Sequence, residues 1–423
     1  MVDGPQTDEN VGPQERQIVS TETELGHWFD KLAPSSARLR RRNASPGVSK
    51  SPNPGASTSN LATQKSCGES KTEEYVEPSS SSSVARSLGE IATGLASFRP
   101  AAGAGLLLSI SKQAMACEFE VLLNQHEYSN GAELATLALE LIEELEDLFT
   151  VYRPQSELST LNRFGSRNPI PVSPDTLALL QLGAAVAKWT GGAFDMTSGQ
   201  LSELWGFGRK KGVIPNANRI EEVLTLVGAE YVELQEDEPA ARIARQGVQL
   251  NPGGIGKGYA LDRAAEQLRD NGIENFMMHG GLSSIVAAGH RRGSEETWSV
   301  ALKHPWRWEE ELGTIRLRDC SLGTSGSGKQ FFHFGGERYS HIIDPRTGWP
   351  AQGMMSTTVI CPSAAVADSL ATAFFVMGVD RAVEFCEQYT QVAAILVYQD
   401  GKSGRQRIQT CNVIDEDWTL ASS

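Results

Sequence analysis

The stretch Ala-Ala-Val-Ala-Asp-Ser-Leu-Ala-Thr-Ala-Phe-Phe-Val-Met, residues 364–377, is apolar on nearly every face of a helix and is therefore expected to be buried. Asp368 is its one ionisable residue. A buried carboxylate is strongly unfavourable unless a cation or several hydrogen-bond donors meet it. Thr372 follows one turn later on the same face. The pair fits two hard oxygen ligands for Mg²⁺. It equally fits a carboxylate bonded to backbone amides and a threonine bonded to its own helix.

Upstream of this helix, glycines cluster in Leu-Asn-Pro-Gly-Gly-Ile-Gly-Lys-Gly-Tyr, residues 250–259, directly before a predicted helix over 257–270. Glycine lets the backbone approach a ligand closely. The N-terminus of a helix attracts phosphate, and Lys257 adds positive charge there. The segment therefore predicts a phosphate site, with an ordinary glycine-rich turn and a solvated lysine as the alternative.

Between the two lies Tyr-Ser-His-Ile-Ile-Asp-Pro-Arg-Thr-Gly, residues 339–348. A strand predicted over 339–343 places His341 on the same face as Ile343, because side chains alternate along a strand. A lone histidine in a strand is more often structural than catalytic. Asp344 and Arg346 follow closely, so the segment predicts a polar site.

Two further glycine-rich motifs do not match the classes of enzyme that they resemble. Residues 323–329, Gly-Thr-Ser-Gly-Ser-Gly-Lys, begin like a P-loop, but Gln330 replaces the required Ser or Thr and a strand-like segment follows. His279-Gly280-Gly281 resembles an esterase oxyanion loop, but the sequence has no GxSxG nucleophile elbow. Neither a P-loop nucleotidase nor a serine esterase is indicated.

Strand-like and helix-like stretches alternate irregularly along the rest of the chain. Strands are predicted at 106–111, 118–123, 276–279, 284–288, 298–303, 313–318, 339–343 and 355–361, and helices at 132–149, 257–270, 364–377 and 381–389. This order predicts the α+β (mixed α/β) class: one catalytic domain over residues 105–423, with a twisted, largely antiparallel sheet and flanking helices.

Residues 1–104 are rich in Ser, Pro, Gly and charge, and are predicted to be a disordered N-terminal tail. The whole chain carries 38 Lys and Arg against 52 Asp and Glu, a net charge of −14, which argues against broad nucleic-acid binding. No apolar run is long enough to predict a transmembrane segment. Peripheral membrane association through the basic residues 38–42 stays open. No leader sequence is visible, so a cytoplasmic location is expected.

Several motifs, in the same order, resemble the FAD:protein FMN transferases, the ApbE family. They are residues 114–120 (Ala-Met-Ala-Cys-Glu-Phe-Glu), 152–162 (Tyr-Arg-Pro-Gln-Ser-Glu-Leu-Ser-Thr-Leu-Asn), 192–195 (Gly-Ala-Phe-Asp) with Thr197, 204–207 (Leu-Trp-Gly-Phe) and the three segments above. The resemblance extends from about residue 106 to the end of the chain. Asn251 and Cys117 depart from it, since the family often has Asp and Thr at those positions.

The resemblance implies a cleft for FAD and a bound Mg²⁺. The FAD-binding residues would be Met115, Tyr152, Ala193, Phe194, Asp195, Asn251, Lys257 and Ile342. The metal ligands would be the Asp368 carboxylate, the Thr372 hydroxyl and the backbone carbonyl of Gly254.

The implied reaction is the Mg²⁺-dependent transfer of FMN from FAD to a Thr or Ser hydroxyl of an acceptor protein, with release of AMP. His341 is the candidate base, because a neutral imidazole is available near pH 7, and Asp344 is a candidate for orienting it. Two alternatives stay open: an Mg²⁺-dependent FAD pyrophosphatase that gives FMN and AMP, and a non-catalytic FAD-binding protein.

Overall fold

The computed structural model describes residues 96–98, 105–207, 212–293, 297–328, 330–401 and 403–421. The predicted tail, residues 1–104, lies outside the described residues except for 96–98, which form a short strand. The tail's disorder and its limit at residue 104 therefore stay predictions. None of the helices in the described ranges is both long and apolar enough to cross a membrane.

The described ranges contain eight α-helices and seventeen β-strands. The helices are α1 (Gly131–Phe149), α2 (Glu157–Phe164), α3 (Pro174–Trp189), α4 (Gly199–Leu204), α5 (Ala217–Leu224), α6 (Gly256–Asp270), α7 (Ala364–Met377) and α8 (Val379–Gln388). The strands are β1 (Ala96–Phe98), β2 (Leu107–Ala114), β3 (Cys117–Asn124), β4 (Ile170–Pro171), β5 (Val232–Gln235), β6 (Ala240–Ile243), β7 (Phe276–Gly280), β8 (Ser284–Ala288), β9 (Trp298–Lys303), β10 (Glu311–Leu317), β11 (Cys320–Gly326), β12 (Phe331–Phe334), β13 (Glu337–Ser340), β14 (Met354–Cys361), β15 (Ala393–Gln399), β16 (Gln406–Cys411) and β17 (Trp418–Leu420).

The main sheet has eight strands in the order β16-β15-β14-β11-β8-β7-β3-β2. Every neighbouring pair is antiparallel. A second sheet has the order β1-β9-β10-β17, and two small sheets are formed by β4-β6-β5 and β12-β13. The predicted α+β class with a largely antiparallel sheet is confirmed.

Both faces of the main sheet are buried. Val286 and Leu396 belong to the core cluster that contains the buried faces of α1, α6 and α7. Their sequence neighbours Ile285 and Ile395 belong to a second cluster with Trp298 of β9. This alternation follows from the two-residue period of strands, and it places helices on one face and the second sheet on the other.

Helix α7 lies against β11 and β14 at the centre of the main sheet. The contact with β11 is between backbones: a Cβ on Gly323 would lie 2.4 Å from the carbonyl carbon of Ala367. Because glycine leaves this space open, α7 sits deep enough for Asp368, the residue after Ala367, to be buried.

The structure differs from the sequence prediction around His341. Strand β13 ends at Ser340, and Ile343 forms only an isolated bridge with Pro350. The predicted strand over 339–343, with His341 and Ile343 on one face, was therefore wrong. Strand β11 was not predicted, because its sequence Cys-Ser-Leu-Gly-Thr-Ser-Gly has few of the β-branched and aromatic residues typical of strands.

Candidate active site

The glycine loop before α6 meets α7 at Gly254. A Cβ on Gly254 would lie 3.2 Å from the Thr372 hydroxyl and 3.0 Å from the Phe194 ring. Both contacts are closer than a side chain normally tolerates, so glycine is needed for this approach. The fold thus brings the glycine loop and α7 together.

Asp368 is 5% exposed and has donors on both oxygens. The Ser284 hydroxyl lies 2.7 Å from Oδ1 and 2.8 Å from Oδ2, and the Gly258 N–H donates to Oδ2 at 3.0 Å. Lys257 Nζ lies 3.5 Å from the same Oδ2. Burial raises the pKa of Asp368, and Lys257, Ser284 and the Gly258 amide partly offset that rise.

The alternative prediction, in which Asp368 bonds to backbone amides and Thr372 bonds to its own helix, describes some of the observed contacts. Asp368 accepts from a backbone amide, and the Thr372 hydroxyl lies 3.2 Å from the Asp368 carbonyl of its own helix. Thr372 also contacts the Ser325 hydroxyl at 3.0 Å. Both residues also line a cavity, so these bonds do not enclose them completely.

The Gly254 carbonyl is the candidate third ligand, because Gly254 lines the same cavity. In a regular first turn it would accept from the amide of Gly258, four residues on. That amide instead donates to Asp368, and no backbone amide in the described ranges donates to the Gly254 carbonyl. One carboxylate, one hydroxyl and one free carbonyl suit Mg²⁺, which commonly takes few protein ligands and completes its shell with phosphate and water. The described residues contain no group of three His, Cys, Asp or Glu side chains arranged to bind a metal.

The cavity beside these oxygens has a volume of about 470 Å³, within the range typical of small-molecule sites. Eleven of the twelve residues predicted for the site line it: Tyr152, Ala193, Phe194, Asp195, Asn251, Gly254, Lys257, His341, Ile342, Asp368 and Thr372. Met115 is the exception. It lies in the turn between β2 and β3, where its N–H donates to Glu146 at 2.8 Å. Its predicted contact with FAD stays a prediction.

His341 stands at the cavity wall just beyond the end of β13. Its Nδ1 lies 3.1 Å from the Gln330 carbonyl. A carbonyl only accepts, so Nδ1 carries the hydrogen and Nε2 keeps its lone pair. Burial lowers the pKa of His341, which keeps the ring neutral near pH 7. Asp344 does not orient it, because both Asp344 oxygens pair with Arg346 at 2.9 Å.

Also lining the cavity are Phe194, which is buried, and Tyr152, which is 83% exposed. Asp195 accepts from the Thr197 N–H at 2.8 Å and from its hydroxyl at 2.6 Å through one oxygen. Desolvation nevertheless raises the pKa of Asp195. A ring system on Phe194 and a hydrogen-bond donor on Asp195 are compatible with this wall.

Two residues of the site were not predicted. Ser284 contacts Asp368, and Ser325 contacts Thr372. Ser284 lies three residues after the segment that resembles an oxyanion loop, and Ser325 lies within the segment that resembles a P-loop. The sequence therefore contained a usable pattern, serines among glycines, but it was compared only with two enzyme classes that it does not match.

The sequence profile of the ApbE family matches residues 115–396. A relative from Klebsiella pneumoniae (strain 342), called FAD:protein FMN transferase, is 31% identical over 272 residues, which is 64% of this chain and 84% of that protein. A relative of the same name from Vibrio cholerae is 32% identical over 281 residues, 65% of this chain and 82% of that protein.

Among solved structures, the ApbE protein of Thermotoga maritima superposes with a TM-score of 0.63 at 29% identity, covering 71% of this chain and 96% of that one. The flavin transferase ApbE of Vibrio cholerae superposes with a TM-score of 0.64 at 28% identity, covering 72% and 97%. With a profile match over more than half of its length, and with its fold and sequence shared by these proteins, the chain belongs to the ApbE family.

Proposed function

We propose that this protein transfers FMN from FAD to a hydroxyl group of an acceptor protein and releases AMP. The observation that carries the proposal is the meeting of Asp368, Thr372 and Gly254 at one cavity, beside Lys257. Family membership and the names of the relatives support the same activity.

Asp368, Thr372 and the Gly254 carbonyl would hold Mg²⁺. The bound ion would neutralise pyrophosphate charge and make the phosphorus more electrophilic. Lys257 lies in the first turn of α6, where the helix dipole and its own ammonium both favour phosphate. The pyrophosphate of FAD therefore belongs between α6 and α7.

The rest of FAD would occupy the cavity on either side of the pyrophosphate. Phe194, Tyr152 and Ile342 offer apolar surface to ring systems, and Asp195 accepts from an amino group. Ala193 and Asn251 complete the wall. Because Met115 does not line the cavity, it is left out of this proposal.

His341 would act as the general base. Its Nε2 takes the proton of a Thr or Ser hydroxyl of the acceptor while the oxygen attacks the FMN phosphorus. The new P–O bond forms as the bond to the AMP oxygen breaks, so FMN becomes a phosphodiester on the acceptor and AMP leaves. The lowered pKa of His341 favours the neutral form that this step needs.

A labelling experiment separates this activity from its alternatives. The protein is incubated with FAD, Mg²⁺ and candidate acceptor proteins and run on a denaturing gel, with EDTA as the metal-free control. We expect a fluorescent band that EDTA abolishes. Free FMN and AMP without a band would indicate the pyrophosphatase, and bound FAD without cleavage would indicate a binding protein.

His341→Ala tests the base. We expect the transfer rate to fall by about 10²-fold or more, which is typical for the loss of a general base, while the Kd for FAD changes by less than about threefold. The rate is measured by quenched-flow and the Kd by flavin fluorescence. Equal losses in both would show that His341 binds FAD instead.

A further inference from the structure

The β12–β13 hairpin forms one rim of the cavity. The residues directly outside it, Gln330 and His341, both line the cavity, and the His341 N–H donates to the Gln330 carbonyl at 3.0 Å. Strand β12 therefore begins directly after Gln330, the residue that bonds to the candidate base His341.

The hairpin's two outer edges differ. In an antiparallel pair, backbone groups point alternately toward and away from the partner strand. Since Gln330 and His341 bond to each other, the backbone groups of Phe331 and His333 on β12 point outward. Those of Arg338 and Ser340 on β13 point outward on the other side. The Arg338 carbonyl accepts from Gln352 at 3.2 Å.

On β12, no backbone group in the described ranges pairs with the outward groups of Phe331 or His333. An edge of this kind is a template for another strand. On β13, Ser340 is 3% exposed, whereas Phe331 and His333 on β12 are exposed. The outer edge of β12 is therefore the accessible edge of the hairpin.

The side chains of β12 also favour a partner. Phe332 is packed inside, with its ring 5.3 Å from Tyr339 and 6.4 Å from Trp205. Phe331 is 38% exposed and Phe334 is 62% exposed, on opposite faces of the strand. The inner contacts hold the edge in place, while the two exposed rings can pack against apolar side chains of an added strand.

We propose that the outer edge of β12 binds an extended segment of the acceptor protein by β-strand addition. This proposal rests on the proposed function. A segment antiparallel to β12 passes Phe334, then Phe331, and then reaches Gln330 and the cavity, advancing about 3.3 Å per residue. A Thr or Ser a few residues beyond the paired part would arrive beside His341.

The test uses the full-length enzyme, FAD, Mg²⁺ and a library of short biotinylated peptides that each carry one threonine. The best-labelled peptide is then compared across variants. His333→Pro removes one outward N–H, which an edge strand tolerates. We expect the KM for the peptide to rise by about tenfold, the loss typical of one backbone hydrogen bond, with kcat and the Kd for FAD within about twofold.

Thr410→Pro is the matched control, because Thr410 is an exposed position on β16, the edge strand of the main sheet. We expect it to leave the KM for the peptide unchanged. Hydrogen exchange on the wild-type enzyme gives a second measurement: the peptide should protect the amides of Phe331 and His333. That measurement remains decisive if His333→Pro disrupts the hairpin.

An unchanged KM in a folded His333→Pro variant, or labelled peptide without amide protection, would overturn docking at β12 and leave the transferase intact. Labelled acceptor proteins but no labelled peptide would overturn recognition of an extended segment. If wild-type enzyme labels neither proteins nor peptides, the proposed function fails and the docking proposal fails with it.

Discussion

Asp262 on α6 and Asp368 on α7 hold reciprocal positions, each at the N-terminus of the other's helix. Asp368 accepts from the Gly258 amide in the first turn of α6. Asp262 accepts from the amides of Ala364 and Ala365 at 2.8 and 3.0 Å, and from the Ser363 hydroxyl at 2.7 Å. Helix N-termini offer unbonded amides and a positive dipole end, and at both places these amides offset part of the rise in carboxyl pKa that burial causes.

The two carboxylates differ in what lies on their other side. Asp368 faces a cavity together with Thr372, the Gly254 carbonyl and Lys257. Asp262 does not line that cavity, and its hydrogen-bond donors in the described ranges come from the start of α7. The hydrogen bonds of a carboxylate therefore do not distinguish one that only caps a helix from one that can also bind a metal. The features that distinguish them are an adjacent cavity and further oxygen atoms beside it.

The largest expected difference is in activity. Asp368→Ala should lower the rate of FMN transfer by about 10³-fold or more, because a bound metal contributes several kcal/mol to such a reaction. Circular dichroism should show a retained fold, since water from the cavity can reach the freed Gly258 amide. Asp262→Ala is the matched control and should keep most activity per folded molecule. Full activity in Asp368→Ala would place the metal elsewhere.

The second prediction concerns pH. Desolvation raises the pKa of Asp262 from 3.8 to about 6. A folded-state pKa above the unfolded one means that the stabilisation is present below about pH 4 and is lost as the pH rises through about 6. For 2.2 pH units this is about 3 kcal/mol. The free energy of unfolding of the wild type, relative to Asp262→Asn, should fall by about that amount across this window.

Urea denaturation of both proteins at a series of pH values measures the effect. Asp262→Asn is close in shape and does not titrate, so groups that titrate elsewhere cancel in the comparison. Parallel pH profiles for the two proteins would show that Asp262 has an ordinary pKa and that its cap is formed by a well-solvated carboxylate.

The parts of the site that were predictable from sequence are those in which one residue conflicts with its surroundings. Asp368 in an apolar helix is such a conflict, and the structure resolves it with Ser284, Gly258 and Lys257. The ends of α7 were also predicted correctly, because the helix coincides with a continuous apolar run that Ser363 caps. The α+β class followed from the irregular order of strands and helices.

The parts that were not predictable depend on contacts distant in sequence. Asp262 is one of several charged residues on an amphipathic helix, and nothing local shows that it meets Ala364, about a hundred positions later. Strand β11 is held between β8 and β14 by pairing that its glycine-rich sequence does not indicate. The motif containing Met115 was recognised, but its contact with Glu146 of α1, about thirty positions later, is not visible in the local sequence.

The smallest expected effect concerns two serine hydroxyls, one beside the candidate metal ligand Thr372 and one beside Asp262. Ser325 contacts the Thr372 hydroxyl at 3.0 Å, whereas Ser363 bonds Asp262 and caps α7. Ser325→Ala should raise the Mg²⁺ concentration for half-maximal activity by about threefold to tenfold, because it removes one bond that orients a metal ligand. Ser363→Ala should instead lower stability by about 1 kcal/mol and leave the Mg²⁺ requirement unchanged. Since each change deletes a single serine hydroxyl, equal effects on Mg²⁺ activation would mean that Ser325 does not orient a metal ligand.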